Sequence, residues 1–286
     1  MQTELLSDIS AGLLPVPSGE FVVRAVPAHA SLAFSLVVPT RNESHNLEEL
    51  IGLLKPAIES EVGDSYEIII VDDDSPDGTW QVAAGMAEND PHIAAMRRVD
   101  ERGLATAVVR GWQAARGTLL GVIDADLQHP PEVTARLIAA MRKGADLAVA
   151  SREAEGGGTS DWSFVRLLIS RGSRALGKLL LPGVLGQVSD PMTGFFVIRR
   201  SAIENVVLAP CGYKILVELL ARSRLKSIVE VGYVFRSRQR GESKASMMVF
   251  VDYVQHLFRL RATARALSAE QKAHEVRSKP ATAGRQ

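Results

Sequence analysis

Short apolar runs, each followed at once by polar residues, recur along the first half of the chain. Three of them lie at residues 35–39, 67–71 and 119–123, and each is bounded by polar or turn-forming residues. Such runs predict buried strands, and the helix-like segments between them predict strand–helix alternation. The alternation predicts an α/β fold, with a mostly parallel sheet and helices on both of its faces.

Polar side chains follow each of the three predicted strands, at residues 40–43, 72–74 and 124–128. The carboxyl ends of parallel strands meet in one crevice, so these side chains are expected to converge. If the backbone stays extended beyond the third run, Asp124, Asp126 and Gln128 point to one side and offer oxygen ligands suited to Mg²⁺ or Mn²⁺. The spacing favours a metal-assisted nucleotide-diphosphate site, while a strand end with solvated acids remains the alternative.

Length, charge and cysteine content narrow the class of protein. The chain has 286 residues, 46% of them apolar, and a formal net charge of zero, so no global field favours nucleic acid as a partner. The single cysteine excludes an intramolecular disulfide. The first residues lack the pattern of a signal peptide, and no uninterrupted run of about 18 apolar residues predicts a transmembrane helix.

The apolar periodicity also predicts the domain organisation. Residues 1–31 have no clear period and are expected to form a mobile or loosely docked N-terminal extension. Residues 32–260 are expected to form one domain, and the polar residues 261–286 a C-terminal tail.

The second half of the chain is cationic although the whole is neutral. Two stretches, 152–178 and 222–244, hold five and seven basic residues against three and two acids. Arginine grips phosphate oxygens through two parallel hydrogen bonds, so these stretches favour phosphate binding. For Arg222, Arg224 and Lys226 an ordinary solvated helix face is the favoured interpretation.

Two amphipathic segments, at 161–181 and 246–260, are predicted to be surface helices. In the first, a polar stripe with a spacing of four faces away from the apolar residues. The stripe consists of Arg166, Ser170, Arg174 and Lys178. Both helices suit a membrane surface, and packing on the domain core is the alternative.

Several common enzyme motifs are missing from the sequence. No Gly-x-Gly-x-x-Gly follows the first strand, which argues against a nicotinamide-dependent dehydrogenase. No His-Glu-x-x-His or Gly-x-Ser-x-Gly motif supports a zinc protease or a serine hydrolase.

An ordered set of motifs resembles the family 2 glycosyltransferases with the GT-A fold, which is Rossmann-like. The set begins with residues 37–43, 71–79 and 124–132. Four later segments are similar to the dolichol-phosphate mannose synthases within that family, at 150–152, 190–196, 212–218 and 238–244. The resemblance extends from about residue 33 to residue 260.

The resemblance implies an inverting transfer of mannose from GDP-mannose to a polyprenyl monophosphate, with Mg²⁺ or Mn²⁺ bound by Asp124, Asp126 and Gln128. It implies catalytic roles for Asp126, Arg238 and Lys244. The nucleotide-sugar site would comprise Pro39, Arg41, Glu43, Val71, Asp73, Arg102, Asp124, Ala125, Asp126, Gln128 and Arg238. The acceptor phosphate would meet Arg152, Arg166, Ser170, Asp190, Thr193, Gly194 and Lys244.

The resemblance further implies a peripheral enzyme on the cytoplasmic face of a membrane, acting alone or with a membrane-anchoring partner subunit. One departure concerns the donor, because the family commonly carries Tyr where this chain has Arg41. A UDP-glucose or UDP-aminosugar transferase with the same acceptor is therefore the nearest alternative. A non-catalytic sensor of nucleotide sugars is an alternative from a different class.

Overall fold

A seven-stranded sheet forms the centre of the molecule in a computed structural model, which describes residues 13–160, 172, 175–223, 225–236 and 254–262. The strands are β1 (Phe21–Val22), β2 (Leu32–Thr40), β3 (Tyr66–Asp72), β4 (Ile93–Arg97), β5 (Gly117–Val122), β6 (Leu147–Ser151), β7 (Gly158–Thr159), β8 (Phe196–Arg199), β9 (Val207–Leu208), β10 (Ile228–Gly232) and β11 (Val234–Phe235). The helices are α1 (Ser44–Val62), α2 (Thr79–Asn89), α3 (Leu104–Ala114), α4 (Val133–Arg142), α5 (Pro182–Leu185), α6 (Arg200–Ile203) and α7 (Ile215–Arg222). Residues 175–180 and 254–262 are also helical.

The strand order in the large sheet is β10-β6-β8-β5-β2-β3-β4. All neighbours run parallel except β8, which is antiparallel to both β5 and β6. The predicted α/β fold with a mostly parallel sheet is therefore confirmed. Because β8 runs in the opposite direction, it begins at the edge of the sheet where its parallel neighbours end.

Alternation along the strands divides the core into two layers. In β2, Leu36 and Val38 pack with α1 and α4 on one face of the sheet, whereas Val37 packs with α3 and α7 on the other. Successive side chains of a strand point to opposite faces, so a continuous apolar run is what a strand covered on both sides requires. Helices therefore lie on both faces, as the sequence predicted.

Helix α3 lies unusually close to the sheet at Gly111. A Cβ atom at this position would stand 2.7 Å from both methyl groups of Val37 and 3.1 Å from Val71. The neighbouring Trp112 is fully buried and donates its indole N–H to the carbonyl of Gly121 at 3.1 Å. The glycine thus sets the distance between α3 and the strands that end at the site.

The N-terminal segment 13–31 packs against the domain, which differs from the expected mobile or loosely docked arm. Val23 is fully buried, β1 pairs with β9, and the Leu14 amide donates to the Ala95 carbonyl. The buried Arg200 guanidinium donates to the carbonyl of Arg24 at 2.9 Å. Contacts made through the backbone do not depend on the type of side chain, so the sequence of this segment shows no hydrophobic periodicity. Residues 1–12 lie outside the described residues, and the domain bounds at 31 and 260 remain predictions.

The two predicted surface helices lie largely outside the described residues. Where they are described, Leu257 and Leu260 pack on the core, while Leu179 and Phe258 expose 76% and 56% of their surface. His256 is buried beside Glu218 of α7, with 3.5 Å between its Nε2 and the carboxylate. Within the described ranges, no helix combines the length and the apolarity that crossing a membrane requires.

The close approach of α3 predicts opposite outcomes for two helical glycines. Gly111→Ala should lower the free energy of unfolding by about 1–3 kcal/mol, because its methyl group overlaps Val37. Gly52→Ala in α1 has nothing within 4 Å of its new methyl group and should raise stability by about 0.5–1 kcal/mol. Urea unfolding of both variants measures the difference, and equal effects would contradict the proposed packing.

Candidate active site

The candidate site lies at the carboxyl edge of the sheet, where the parallel strands end. Asp72 at the end of β3 is buried and organises the first loop there. Its carboxylate accepts the Thr40 hydroxyl at 2.8 Å and both the backbone N–H and the hydroxyl of Ser75, at 2.8 and 2.6 Å. Asp72 is therefore a structural residue that joins the ends of β2 and β3.

Asp73 holds the loop that carries Arg102. One carboxylate oxygen accepts two N–H groups of the fully buried Arg98, and the other accepts the Gly103 amide at 2.7 Å. The Arg98 guanidinium in turn donates to the Gly103 carbonyl at 2.9 Å. The exposed Arg102 side chain is thus presented by a loop that Asp73 fixes. Sequence reasoning did not find Arg98, because the pairing spans 25 residues.

Arg41 clamps the loop after β3. Its guanidinium donates to the backbone carbonyls of Asp73 and Asp74, the second at 2.6 Å. Asp74 has a φ of 55°, in the left-handed region, and accepts two N–H groups of Arg97 at 2.6 and 2.8 Å. Arg97 also lies 4.0 Å above the ring of Trp80. Arg41, the position at which the chain departs from the family it resembles, therefore holds the loop after β3 in place.

The remaining predicted donor residues occupy different environments. Glu43 is buried, and it accepts the Asn46 side-chain amide at 2.8 Å. Pro39 and Ala125 are buried. The side chain of Val71 belongs to the core layer under α3, so only its backbone lies at the carboxyl edge. The predicted nucleotide contact of Val71 would therefore be made by its backbone, and it remains a prediction.

The acidic loop after β5 turns instead of staying extended. The strand ends at Val122, residues 125–126 form a turn, and Leu127 has a φ of 59°. The condition for placing Asp124, Asp126 and Gln128 on one side of an extended strand is therefore not met. Within the turn, the Gln128 backbone N–H donates to the Asp126 carboxylate at 3.1 Å.

Gln128 links this turn to the end of β11. Its side-chain amide donates to the Arg236 carbonyl at 3.1 Å, while its own carbonyl accepts the Arg236 amide at 2.9 Å. The paired amide nitrogen fixes the orientation of the side chain. Arg236, the last described residue before Arg238, therefore lies directly beside the acidic loop.

The two oxygens of Asp124 differ in their contacts. His129 Nε2 lies 3.4 Å from Oδ2, whereas Oδ1 is buried with no hydrogen-bond partner among the described residues. A buried anionic oxygen without a donor suits a bound cation, so Asp124 fits the divalent metal that the sequence predicts. Among the described residues, no three His, Cys, Asp or Glu side chains cluster as a metal site, so the ligand set would need Gln128 or ligand oxygens.

The second half of the site is built on a buried ion pair. Asp190 is fully buried and accepts Arg152 Nε at 2.6 Å and Nη2 at 2.7 Å. The pair joins the end of β6 to loop 190–195, which leads into β8. Thr193 is buried in this loop, and its hydroxyl accepts the Phe195 amide at 3.3 Å.

Gly194 brings the same loop against the acidic turn. A Cβ atom here would lie 2.7 Å from Asp124 Oδ2 and 3.0 Å from Oδ1. Only a residue without a side chain allows this approach. The structure thus brings the predicted acceptor loop into contact with a predicted metal ligand.

Lys214 lies in the site although no role was predicted for it from the sequence. It immediately precedes α7, and its ammonium group donates to the Met192 carbonyl of loop 190–195 at 2.9 Å. Burial and the nearby Arg152 guanidinium lower the pKa of Lys214, whereas Asp124 and Asp190 act in the opposite direction. Its place in segment 212–218 was the available signal.

Four predicted residues lie outside the described part of the chain. They are Arg166, Ser170, Arg238 and Lys244. Their assignments to the acceptor phosphate and to catalysis remain predictions.

The sequence profile of Glycosyl transferase family 2 matches residues 35–207. The chain belongs to this family. The match covers most of β2 and continues through β8, so it includes the loops after β2, β3, β5 and β6 and loop 190–195. The family resemblance predicted from the motifs is confirmed.

Curated relatives narrow the assignment of this glycosyltransferase. It is 43% identical to the dolichol-phosphate mannosyltransferase of Pyrococcus furiosus, over 79% of this chain and 63% of that protein. It is 35% identical to the dolichol-phosphate mannosyltransferase of Saccharomyces cerevisiae, over 79% of this chain and 86% of that protein. The polyprenol monophosphomannose synthase of Mycolicibacterium smegmatis is 35% identical over 74% of this chain and 80% of that protein. The chain thus spans less than two thirds of the Pyrococcus protein.

Solved glycosyltransferases share the fold. Mannosyl-3-phosphoglycerate synthase from Rubrobacter xylanophilus is 25% identical, with a TM-score of 0.61 over 82% of this chain and 76% of that one. Glucosyl-3-phosphoglycerate synthase from Mycobacterium tuberculosis, solved with Mn²⁺ and UDP, is 21% identical, with a TM-score of 0.61 over 83% of this chain and 81% of that one. The second likeness bears on the fold alone.

The contact between Gly194 and Asp124 predicts a sensitive position in this glycosyltransferase. Gly194→Ala should lower sugar transfer at least tenfold, because its methyl group displaces either the loop or the Asp124 carboxylate. Gly183→Ala is the control, since nothing lies within 4 Å of its new methyl group. Initial rates of both variants at saturating substrates test the contact, and a wild-type rate for Gly194→Ala would refute it.

Proposed function

We propose that this glycosyltransferase moves mannose from GDP-mannose to a polyprenyl monophosphate, with inversion at the anomeric carbon. The observation that carries the proposal is the identity of 35–43% to curated mannosyltransferases that are named for dolichol phosphate or polyprenol. The two halves of the carboxyl edge support it, because one suits a nucleotide sugar and the other a second phosphate.

The donor is proposed to bind across the ends of β2, β3 and β5. Glu43, Asp73 and the exposed Arg102 would surround the nucleoside, on loops whose backbone is already fixed by Arg41 and Arg98. Preorganised loops lower the entropic cost of binding. In this arrangement the diphosphate would reach the acidic turn.

A divalent cation is proposed to bind at the acidic turn through Asp124, Asp126 and Gln128. When bound, it stabilises the charge that develops on the leaving diphosphate. The unpartnered Oδ1 of Asp124 supports this assignment. Either Mg²⁺ or Mn²⁺ suits such oxygen ligands.

The acceptor phosphate is proposed to attack without a general base. The second pKa of a phosphate monoester is near ~6, so the nucleophilic oxygen is already ionised at neutral pH. The protein must instead reduce the repulsion between two anionic substrates and align them. Arg152 in the described site carries the appropriate charge, and Arg166, Ser170, Arg238 and Lys244 are proposed to complete the acceptor site.

Arg41 is the feature that favours a second candidate donor, a UDP-sugar. Its guanidinium binds the carbonyls of the loop after β3, at the position where the family commonly carries Tyr. A change in this loop would alter the environment of the nucleobase. Transfer from UDP-glucose or a UDP-aminosugar to the same acceptor is therefore the second candidate function.

The acceptor lipid places the proposed reaction at a membrane. The exposed side chains of Leu179 and Phe258, on two helices next to the described core, support peripheral contact with a bilayer. We propose binding at the cytoplasmic face, with or without a membrane-anchoring partner subunit.

Transfer of labelled sugar tests the proposal directly. The protein is incubated with polyprenyl phosphate in liposomes, with GDP-mannose or UDP-glucose, and with Mn²⁺, Mg²⁺ or EDTA. Lipid-linked mannose that disappears in EDTA is expected. Asp126→Ala should fold normally and form no product, because the proposed cation loses a ligand.

Other outcomes of this assay have distinct meanings. Lipid-linked glucose would establish the second candidate and direct attention to Arg41. A wild-type rate for Asp126→Ala would overturn the metal assignment. Failure of folded protein to form either product in liposomes would contradict the proposed activity of the chain acting alone.

A second prediction concerns the cationic segment beyond β11. Arg238→Ala should raise the KM for polyprenyl phosphate and lower kcat, because a cation is removed from the two anionic substrates. Arg142→Ala is the control, since this exposed arginine pairs only weakly with Glu61 at 3.1 Å on the outer surface. Steady-state kinetics with varied acceptor distinguish the two, and unchanged values for Arg238→Ala would remove it from the site.

A further inference from the structure

We infer that His129 is a positioning residue that orients Asp124 for the divalent cation. The inference rests on the proposed function, since it concerns the metal assigned there. It assigns a role to a side chain that binds neither the metal nor the sugar. Three observations support it: the imidazole is buried, its Nε2 faces Asp124, and the two oxygens of the Asp124 carboxylate have different contacts.

The imidazole ring of His129 is held in an aromatic cage. The side chain is 4% exposed, and the ring centroids of Phe195, Tyr233 and Phe235 lie 5.5, 5.4 and 5.1 Å from its own. Two of these contacts are edge-to-face, an arrangement that favours one ring orientation. The cage therefore restricts rotation of the imidazole.

The polar contacts of the ring identify its donor nitrogen. Nε2 lies 3.4 Å from Asp124 Oδ2, whereas Nδ1 is buried and meets no hydrogen-bond partner within the part of the chain that the structure describes. A carboxylate only accepts hydrogen bonds, so the nitrogen that faces it must carry a proton. The distance is long for a hydrogen bond, and such contacts in catalytic sites commonly tighten when substrates bind.

Asp124 Oδ2 is confined on two sides. His129 Nε2 approaches it from the cage, and the Gly194 backbone leaves no room for a methyl group, since a Cβ atom would lie 2.7 Å away. Oδ1, on the same carboxylate, is buried and has no donor among the described residues. The His129 contact therefore restrains the carboxylate through Oδ2 and leaves Oδ1 as the oxygen that a cation would compensate.

Orientation of a ligating carboxylate by a second residue has a measurable value. A carboxylate that must be ordered at the moment of binding loses part of the metal's binding energy, and loss of such outer partners typically costs 10–100-fold in affinity. Lys214 also faces Asp124, but its ammonium group donates to the Met192 carbonyl. His129, in contrast, directs its Nε2 at the Asp124 carboxylate.

Mn²⁺ binding to the full chain tests this inference without sugar transfer. Free Mn²⁺ is titrated by electron paramagnetic resonance, with and without GDP. His129→Phe keeps an aromatic ring in the cage but removes the donor, and should raise the Mn²⁺ dissociation constant about 10- to 100-fold. His129→Gln keeps an N–H donor and should recover most of the affinity. His92→Phe, at a histidine stacked on Tyr66 outside the site, should bind Mn²⁺ as the wild type does.

Thermal unfolding in EDTA separates orientation from folding. The inference requires that His129→Phe unfold at the wild-type temperature while Mn²⁺ binding falls. Wild-type affinity in His129→Phe, or equal losses in the Phe and Gln variants, would overturn it. No Mn²⁺ binding by the wild type would instead refute the proposed metal site, and the inference with it.

A spectroscopic measurement decides the matter if His129→Phe does not fold. In ¹⁵N-histidine-labelled wild-type protein with Mg²⁺, the His129 resonances should show a proton on Nε2. A proton found on Nδ1 alone would overturn the inference, because Nε2 could not then donate to Asp124.

Discussion

The buried ion pair between Asp190 and Arg152 is the interaction on which the site depends. Burial of a carboxylate and a guanidinium costs several kcal/mol of desolvation, and two short hydrogen bonds offset that cost only in a fixed geometry. The pair therefore fixes loop 190–195 relative to the end of β6. Because the antiparallel β8 begins directly after this loop, Gly194 is placed against Asp124. One ion pair thus determines where a predicted acceptor loop and a predicted metal ligand meet.

Local patterns predicted the strands and the polar residues at their ends, because those features depend on short stretches of sequence. The apolar runs at 35–39 and 67–71 lie within strands β2 and β3, and the run at 119–123 covers the end of β5 and the residue after it. The turn at Leu127 was not predictable, since a leucine with positive φ is sterically unfavourable and is imposed by its surroundings. The sequence also left β8 unoriented, because antiparallel insertion into a parallel sheet has no local signal.

Long-range contacts account for most of what the sequence did not indicate. Arg98 pairs with Asp73 across a separation of 25 residues, and Arg200 holds the N-terminal segment by donating to the Arg24 carbonyl across 176 residues. Backbone carbonyls are present at every residue, so their use leaves no compositional trace. His129 was visible beside the acidic motif, but its role depends on three aromatic rings from later parts of the chain.

The partners of the acids at the carboxyl edge explain where a cation would bind. Asp72, Asp73, Asp74 and Asp190 each accept hydrogen bonds from named donors, and their charges are used to hold loops in place. Asp124 differs, because its buried Oδ1 has no donor in the described ranges. A carboxylate oxygen removed from water without compensation is costly, and a bound cation would provide that compensation. The same reasoning connects His129 to the chemistry: by restraining the Asp124 carboxylate through Oδ2, it leaves Oδ1 as the oxygen that a cation would compensate.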